Sequence, residues 1–174
     1  MHPNHLIQLI SRADALPHQT LTQEHGLKFV FQGNDLAVRK ALVDTIAALR
    51  FLDLSSEEYG TIELVLAEIM NNIVEHAYAN DPDGIIELEI QPNTNGLSCF
   101  LRDDGQPMPD GNVPLGVLPA TSSDPTADID DLPEGGFGWF LIRDLARDLK
   151  YSRQNGKNIL TFRIATGQPH LHQN

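Results

Sequence analysis

The chain has 174 residues, 41% of them hydrophobic and 21% charged, which is the composition of one globular domain that needs no disulfide or structural metal. Its net charge of −12 argues against a nucleic-acid partner, because phosphate backbones are held by clustered Lys and Arg. No apolar run approaches the roughly 18 residues of a membrane span and no signal-peptide pattern opens the chain, so we expect a cytoplasmic protein without a membrane partner. The lone cysteine, Cys99 in "LSCFL", is predicted to be a core thiol.

The first elements are an arm, a strand and a helix. Residues 1–26 mix His, Pro, Gln and Thr around one short apolar patch and are predicted to be an N-terminal arm. The alternation in "LKFVFQ", residues 27–32, predicts a half-buried strand. Either Asn34 or Asp35 then offers an N-cap, so a helix should follow directly.

A second helix should begin at "SSEE", where Ser55 and Glu58 have the spacing of a capping box, and should run to about Ala79. At about 100° per residue, its apolar residues form one broad arc. These residues are Ile62, Val65, Leu66, Ile69, Met70, Ile73, Val74 and Ala77. The helix is therefore predicted to bury this arc against a sheet.

The remaining elements are strands, a long loop and a helix. Residues 85–91 and 97–102, separated by "PNTNG", predict an antiparallel hairpin. Residues 104–134 are rich in Pro, Gly, Ser and Asp and contain no Lys or Arg, which predicts a long loop of the kind that forms lids or binding segments. The stretch "GGFGWFLIRDLARDLK" predicts a helix, and "NGKNILTFRI" predicts a turn and a last strand. The helix residues spaced for burial are Phe140, Leu141, Leu145 and Leu149.

This order of elements predicts the fold class. Strands and helices do not alternate as they would in a parallel sheet, and the hairpins favour antiparallel pairing. A sheet with one apolar face also needs helices to cover that face. We therefore expect an α+β fold, a two-layer α/β sandwich with a mixed, mostly antiparallel sheet and helices on one face.

Three polar residues interrupt the apolar run of the second helix: Glu68, Asn72 and His76, spaced i, i+4 and i+8. They lie in a row along one edge of the apolar arc, between core and solvent. A carboxylate and an amide at the margin of a hydrophobic floor cost free energy unless something pairs with them, and a ligand is one such partner. The spacing by itself fits an ordinary solvated helix flank as well.

Two further segments allow two interpretations each. Asp103 ends an apolar strand in "LRDDGQPMP", where its carboxylate could accept a hydrogen bond from a ligand amine and Gly105 permits close backbone approach, although a simple Asp-Gly turn also fits. In "PEGGFGWFLI" three glycines precede or open a helix, which suits a phosphate cradle of backbone N–H groups or a loop hinge. These glycines are Gly135, Gly136 and Gly138.

Together these segments resemble, in order, the motifs of the GHKL superfamily, whose Bergerat fold is shared by histidine kinases and gyrase-type ATPases. Within it the chain is most similar to the anti-sigma-factor serine/threonine kinases of bacterial partner-switching systems. "EIMNNIVEHAY" resembles the N-box E-x-x-x-N-A-x-x-H-A-Y with Ile73 in place of Ala, "DDGQPM" resembles D-x-G-x-P, and "PEGGFGWFLIRDL" resembles G-G-x-G-x-x-L-I. The similarity covers residues 27–165 as a histidine kinase-like ATP-binding domain and leaves 166–174 as a C-terminal tail.

The resemblance implies ATP and Mg²⁺ as cofactors. Asn72 would coordinate the Mg²⁺, Asp103 would receive the adenine amino group beside Gly105, and Glu68 would be the general base that takes the proton from an attacking hydroxyl. The glycines of the third motif would close a lid over the phosphates. These are Gly135, Gly136 and Gly138.

The resemblance leaves two residue assignments open. His76 would touch the phosphates, or would be a packed or solvent-facing histidine. Either Asn158 or Thr161, both in "GKNILTF", would reach the adenine pocket. The histidines before the first strand lie in no recognisable phospho-acceptor helix, so autophosphorylation on histidine is not expected.

The implied function is a protein kinase that phosphorylates an anti-anti-sigma (STAS-domain) protein and otherwise sequesters a sigma factor or a similar regulator, with a homodimer carried over by analogy. The lid, residues 106–134, has no Lys or Arg to steady a transferring phosphate. That feature favours the alternative, an interaction module that binds nucleotide, or none, and transfers no phosphate. A third class uses the same ATP site with a response regulator or a separate phosphatase.

Overall fold

A single antiparallel sheet forms one layer of the protein. The computed structural model describes residues 20–21, 26–79, 81–116 and 137–167. Their six strands follow the order β1-β2-β3-β4-β6-β5, and each described neighbour pair is antiparallel. The strands are β1 (Thr20–Leu21), β2 (Leu27–Gln32), β3 (Ile85–Asn93), β4 (Gly96–Asp103), β5 (Ala146–Gln154) and β6 (Lys157–Ile164). The predicted mostly antiparallel sheet is confirmed, and the mixed component is not found among the described strands.

Three α-helices form the second layer. They are α1 (Asp35–Ala48), α2 (Ser56–Asn72) and α3 (Phe137–Leu145), with short 3₁₀ turns at Leu49–Phe51 and Pro109–Gly111. Of the two candidate caps of α1, Asn34 takes the role, since its side chain accepts the N–H of Ala37 at 3.0 Å. Helix α2 begins with the predicted capping box, in which Ser55 Oγ accepts the N–H of Glu58 and Glu58 accepts the N–H of Ser55.

Helix α2 does not continue as an α-helix to Ala79, as the sequence pattern predicts. Its last turn, Ile73–Ala77, is π-helical, and the N–H of Tyr78 donates to the carbonyl of Ile73, five residues earlier, at 3.0 Å. The wider turn leaves the carbonyl of Ala77 free to accept the N–H of Gln106 at 2.7 Å. The end of α2 is therefore joined to the loop that follows β4.

The core lies between the helices and one face of the sheet. Phe29, Leu88, Leu101 and Leu160 pair side by side across β2, β3, β4 and β6, and all four are buried. The predicted apolar arc of α2 packs on this face, and its members from Ile62 to Val74 are buried. Because the sheet is covered on this face by helices, the predicted two-layer α/β sandwich is confirmed.

The C-terminal part differs from the sequence prediction. The helix ends at Leu145, and the residues from Ala146 onward form the edge strand β5. Consequently Leu149, predicted to lie on the helix, lies in a strand, and the buried residues of α3 are Trp139 and Ile142. The other three residues predicted to be buried, Phe140, Leu141 and Leu145, are half-buried.

The reason is the turn that follows. Asn155 and Gly156 have φ values of 51° and 80°, the two positive angles of a tight hairpin turn, so the segment before them pairs with β6. A bulge between Arg147 and Lys150 absorbs the change from helix to strand, with Asp148 at φ 55°. Hairpin pairing therefore overrides the helical periodicity of this segment.

The single thiol is sealed inside the sheet. Cys99 lies on the inner strand β4, where it pairs with Ile90 and Phe162 and is completely buried. Burial in this apolar setting raises the pKa of the thiol far above its ordinary value. The prediction of a core thiol is confirmed. Among the described residues, none of the helices combines the length and apolarity that a bilayer crossing requires.

Candidate functional site

A cavity of about 360 Å³ opens beside the end of α2. Its walls come from the last turns of α2, the ends of β4 and β6, the loop after β4, α3 and β5, and they are mostly apolar. Its polar residues are Asn72, His76, Asp103, Gln106, Tyr151 and Asn158. We call the side with Asp103 and Asn158 the strand end, and the side with Asn72 the helix end. Glu68 and Gly138 lie beside Asn72 at the helix end, although neither is part of the cavity wall.

The strand end is organised around Asp103, the last residue of β4. This carboxylate is only 7% exposed. Its Oδ1 accepts the N–H of Gly105 at 3.0 Å and the amide Nδ2 of Asn158 at 2.6 Å. Among the described residues, no hydrogen bond reaches Oδ2, so the carboxylate retains an acceptor at the wall of the cavity.

Of Asn158 and Thr161 in "GKNILTF", Asn158 is the residue that lines the cavity. It is 5% exposed and pairs with Asp103 across the β4–β6 ladder. Thr161 pairs with Phe100 instead, one residue along from the buried Leu160, so its side chain lies on the opposite face of the sheet. Strand alternation therefore places Asn158, and not Thr161, on the face of the sheet that borders the cavity.

Two residues of β5 support Asn158 from behind. The hydroxyl of Tyr151 donates to Asn158 Oδ1 at 2.7 Å and accepts the N–H of Met108 at 3.2 Å. Arg153 Nη1 donates to the same Oδ1 at 2.6 Å and to the carbonyl of Gly105 at 2.9 Å. The sequence pattern did not indicate either residue, because it assigned the start of this strand to a helix.

The ionisation of Asp103 reflects these surroundings. Burial is the largest influence and raises the pKa of Asp103 above its ordinary value, while the hydrogen bonds from Asn158 and from the backbone of Gly105 oppose the increase. Arg153 opposes it more weakly by its charge. The Asp103 carboxylate therefore depends on the hydrogen bonds from Asn158 and Gly105 to remain ionised.

Gly105 lies behind the cavity rather than in its wall. A Cβ built on Gly105 would lie 2.5 Å from the carbonyl oxygen of Ala77, so a larger residue would push the loop away from the end of α2. In this structure the backbone that approaches Gly105 closely is that of Ala77, and the predicted approach to a ligand stays a prediction. Gly105 thereby holds Asp103 and the end of α2 at a fixed separation.

Tyr78, which follows the π-helical turn, locks the end of α2 to the sheet. Its ring fills a slot between Gly33 and Gly84, where an added Cβ would collide with the ring. Its hydroxyl lies 2.6 Å from the carbonyl oxygen of Ile85 and 2.8 Å from a carboxylate oxygen of Asp104. The ring therefore connects the helix that carries Asn72 to the residue that follows Asp103.

The helix end is formed by Glu68 and Asn72 on successive turns of α2. Both side chains are half-buried, as the predicted position between core and solvent requires. The amide Nδ2 of Asn72 donates to the backbone carbonyl of Glu68 at 2.5 Å. This bond turns the amide nitrogen toward the helix backbone, and the amide oxygen accepts no hydrogen bond from the described residues, so that oxygen is available to a ligand.

Helix α3 approaches α2 closely at Gly138. A Cβ built on Gly138 would collide with the Glu68 carboxylate and would lie 3.7 Å from Nδ2 of Asn72. The third motif therefore meets the first at this glycine, as the predicted site requires. The other two predicted glycines, Gly135 and Gly136, lie outside the described residues.

His76 lines the cavity but is exposed, so it stands at the rim. The neighbouring polar residues Asn71 and Glu75 lie on another side of α2, where they border a groove with Asp35 and Arg39 of α1. Of the polar residues in "EIMNNIVEH", Asn72 and His76 therefore face the cavity, while Asn71 and Glu75 face this second groove.

Helix α3 holds the loop that follows β4 through hydrogen bonds from Arg143. Arg143 donates from Nε to the carbonyl of Pro114 at 2.7 Å and from Nη2 to the carbonyl of Val113 at 2.8 Å. Pro114 and Trp139 both line the cavity, so this clamp fixes one wall. Neither Trp139 nor Arg143 was singled out from the sequence, although both lie within the third motif.

The donor set fits a nucleotide with Mg²⁺ better than a protein-held metal. In the described part of the chain, no three His, Cys, Asp or Glu residues form a cluster that could hold an ion. Mg²⁺ is commonly held by one or two protein oxygens together with phosphate oxygens and water. The amide oxygen of Asn72, beside the half-buried Glu68, suits this mode, and the apolar cavity ending at Asp103 suits a base with an exocyclic amine.

Comparison with known proteins places the chain in a family. The model of the histidine kinase-like ATPase domain matches residues 33–164, well over half of the chain. The chain belongs to this family, which confirms the resemblance to the GHKL superfamily and the α+β fold that the resemblance implied. Membership defines an ATP-binding class of domain.

Proteins similar to this chain include serine-protein kinases. The chain is 22% identical over 112 residues to the serine-protein kinase RsbW of Bacillus subtilis (strain 168), covering 64% of this chain and 68% of that protein. It is 30% identical over 104 residues to RsbW of Bacillus thuringiensis (strain Al Hakam) and of Bacillus cereus (strain 03BB102), covering 60% of this chain and 62% of each protein. The chain thus spans about two thirds of the length of these relatives.

Proposed function

We propose that the chain is a Mg-ATP-dependent serine/threonine protein kinase that phosphorylates an anti-anti-sigma (STAS-domain) protein and otherwise holds a sigma factor or a similar regulator. The observation that carries the proposal is a cavity with two chemically different ends, a buried acceptor at Asp103 and the amide of Asn72, with the Glu68 carboxylate beside Asn72 at Gly138. We assign this site to a domain of residues 27–165, supported by β2 beginning at Leu27 and β6 ending at Ile164. Residues 1–26 and 166–174 would be an arm and a tail.

Each end has a proposed task. At the strand end, Asp103 accepts a hydrogen bond from the exocyclic amine of adenine. At the helix end, the amide oxygen of Asn72 binds Mg²⁺, and the Glu68 carboxylate accepts the proton of the incoming Ser or Thr hydroxyl. When bound with ATP, Mg²⁺ would offset the phosphate charge in a chain whose own net charge is −12.

The glycines and His76 complete the proposed site. Gly138 lets α3 approach Glu68 and Asn72, and backbone N–H groups at Gly135 and Gly136 would face the phosphates at the start of this helix. His76, exposed at the rim, would contact a phosphate. These assignments follow from the shared motif.

A second candidate function rests on one specific observation, the lid of residues 106–134 without Lys or Arg. A domain with this lid could bind Mg-ATP as a structural ligand, or none, and act only by holding a partner. The two candidates share the fold and differ in whether phosphate leaves the nucleotide. The deciding test therefore has to measure binding and transfer separately.

Thermal unfolding with and without ATP and Mg²⁺ is the first measurement. Ligand at about 100 times its dissociation constant should stabilise the fold by about 2.7 kcal/mol, which is several degrees for a domain of this size. Radiolabelled ATP with purified STAS-domain proteins then tests transfer. A Mg-dependent rise in Tm with labelled partner supports the kinase, a rise without transfer supports the binding module, and no rise at millimolar ATP contradicts the nucleotide site.

A further inference from the structure

The amide group of Asn158 is held in one orientation by five hydrogen bonds, of which the longest joins its nitrogen to the carbonyl of Gly105 at 3.4 Å. Two donors point at its oxygen, the Tyr151 hydroxyl at 2.7 Å and Arg153 Nη1 at 2.6 Å. Its nitrogen donates to Asp103 Oδ1 at 2.6 Å and to the carbonyl of Gln106 at 2.9 Å. A rotated amide would place its N–H groups against Arg153, which can only donate, and its oxygen against the Asp103 carboxylate and the Gln106 carbonyl, which can only accept, so the rotation is strongly disfavoured.

This orientation decides what Asp103 presents to the cavity. Oδ1 already accepts from Asn158 and from the N–H of Gly105. The remaining acceptor capacity belongs to Oδ2, which receives no hydrogen bond from the described residues. A partner that donates an N–H satisfies this atom, whereas a partner that presents a carbonyl oxygen in the same position meets a second acceptor.

We propose that Tyr151 and Arg153 are positioning residues for base recognition: by fixing the Asn158 amide they keep Asp103 an acceptor, so that the cavity takes a 6-aminopurine nucleotide and discriminates against a 6-oxopurine. The inference rests on the proposed nucleotide site and goes beyond it by assigning selectivity to two residues of β5. Neither residue belongs to the three sequence motifs.

The geometry of the hairpin explains why these two residues can act together. Tyr151 pairs with Leu160 and Arg153 pairs with Asn158 across β5 and β6, so both lie near the turn that joins the strands. Each also binds the loop after β4, Tyr151 at the N–H of Met108 and Arg153 at the carbonyl of Gly105. The pair therefore connects the amide of Asn158 to the backbone that carries Asp103.

Inosine triphosphate is the probe for the proposal, because it replaces the 6-amino group of ATP by a 6-oxo group. Trp139, the only tryptophan of the chain, lines the cavity and provides a fluorescence signal for titrating both nucleotides with Mg²⁺. The parent protein should bind ATP roughly 10- to 100-fold more tightly than inosine triphosphate. The ratio of the two affinities, rather than either affinity, is the measured quantity.

Tyr151→Phe and Arg153→Met each remove one donor from Asn158, and each should reduce the ATP preference by about fivefold or more. Two matched controls should retain the preference. Tyr59→Phe removes a hydroxyl that donates to the carbonyl of Leu49, and Arg163→Met removes an arginine that bonds the Asp148 carboxylate and the carbonyl of Asn95. Loss of folding in one test variant leaves the ratio measurable in the other, and Arg153→Lys should restore part of the preference.

The outcomes separate the inference from the proposed function. A lower ratio in both test variants with an unchanged ratio in both controls supports the positioning role. Equal weakening of ATP and inosine triphosphate, which a purely structural role would cause, overturns it while the nucleotide site stands. Equal binding of the two nucleotides by the parent also overturns it. A parent protein that binds neither nucleotide overturns the proposed function and this inference together.

Discussion

The two ends of the cavity are built differently. At the strand end, Asp103 and Asn158 are almost fully buried and are held by donors and acceptors from β4, β5, β6 and a loop. At the helix end, Glu68 and Asn72 are half-buried and share one hydrogen bond along their own helix. The strand end is thus organised before any ligand arrives, while the helix end keeps polar atoms available for a ligand and a partner.

Substitution of Glu68 should give the largest effect and should separate the two ends. Glu68→Gln keeps the shape of the side chain and removes the proton acceptor, so phosphate transfer should fall by about 10²- to 10⁴-fold while the affinity for Mg-ATP changes little. Transfer assays and tryptophan titration measure the two quantities on one preparation. Equal transfer rates in Glu68→Gln and the parent would end the general-base assignment.

Substitution of Asp103 should lower the affinity for ATP. Asp103→Asn preserves shape but offers an N–H to the cavity in place of an acceptor, and ATP affinity should fall by roughly 10- to 100-fold. The ATP-induced rise in Tm should shrink accordingly. The control is Asp104→Asn, one residue further along at an exposed position. If both variants bind ATP as the parent does, the strand end does not recognise the base.

Substitution of Gly33 tests how tightly Tyr78 joins the end of α2 to the sheet. A Cβ at Gly33 would lie 2.5 Å from the ring of Tyr78, so Gly33→Ala should lower the free energy of unfolding by about 1–3 kcal/mol. The matched control is Gly60→Ala in α2, where a Cβ meets nothing within 4 Å and helix propensity should raise stability by about 0.8–1 kcal/mol. Chemical denaturation measures both changes, and equal stability of Gly33→Ala and the parent would contradict a tight slot.

The pH dependence of the strand end should be the smallest effect. Because burial raises the pKa of Asp103, its contribution to the stability of the free protein is present below the ordinary carboxyl pKa of about 3.9 and is lost as pH rises through the raised value. The affinity for ATP should instead increase as pH rises, since binding needs the ionised carboxylate of Asp103. The ATP-induced rise in Tm should therefore grow with pH across this window in the parent, and this growth should be absent from Asp103→Asn.

The sequence predicts the helix end of the cavity better than the strand end. Glu68 and Asn72 are one turn apart, so local spacing together with the capping box at Ser55 predicts their common position. Asp103 and Asn158 are 55 residues apart, and their contact depends on the pairing of β4 with β6. Single-chain periodicity contains no information about that pairing.

The assignment of β5 shows a competing local signal. The run "FLIRDLARDL" continues the helical period beyond Leu145, and only the turn at Asn155 and Gly156 indicates that the following residues return along β6. The Asn-Gly pair, a strong hairpin signal, was used for the strand after it and not for the strand before it. Tyr151 and Arg153 were therefore missed with that strand.

Because Cys99 is completely buried, the rate at which its thiol is labelled measures how often the protein opens. A thiol reagent can modify this residue only in molecules whose core has opened, so the labelling rate reports how often the helices separate from the sheet or β4 separates from its neighbours. Asp103 lies four positions further along the same strand, and Asn158 lies on its neighbour. Occupancy of the cavity can thus be followed by the labelling rate of Cys99, without a dye, a second thiol or an engineered residue.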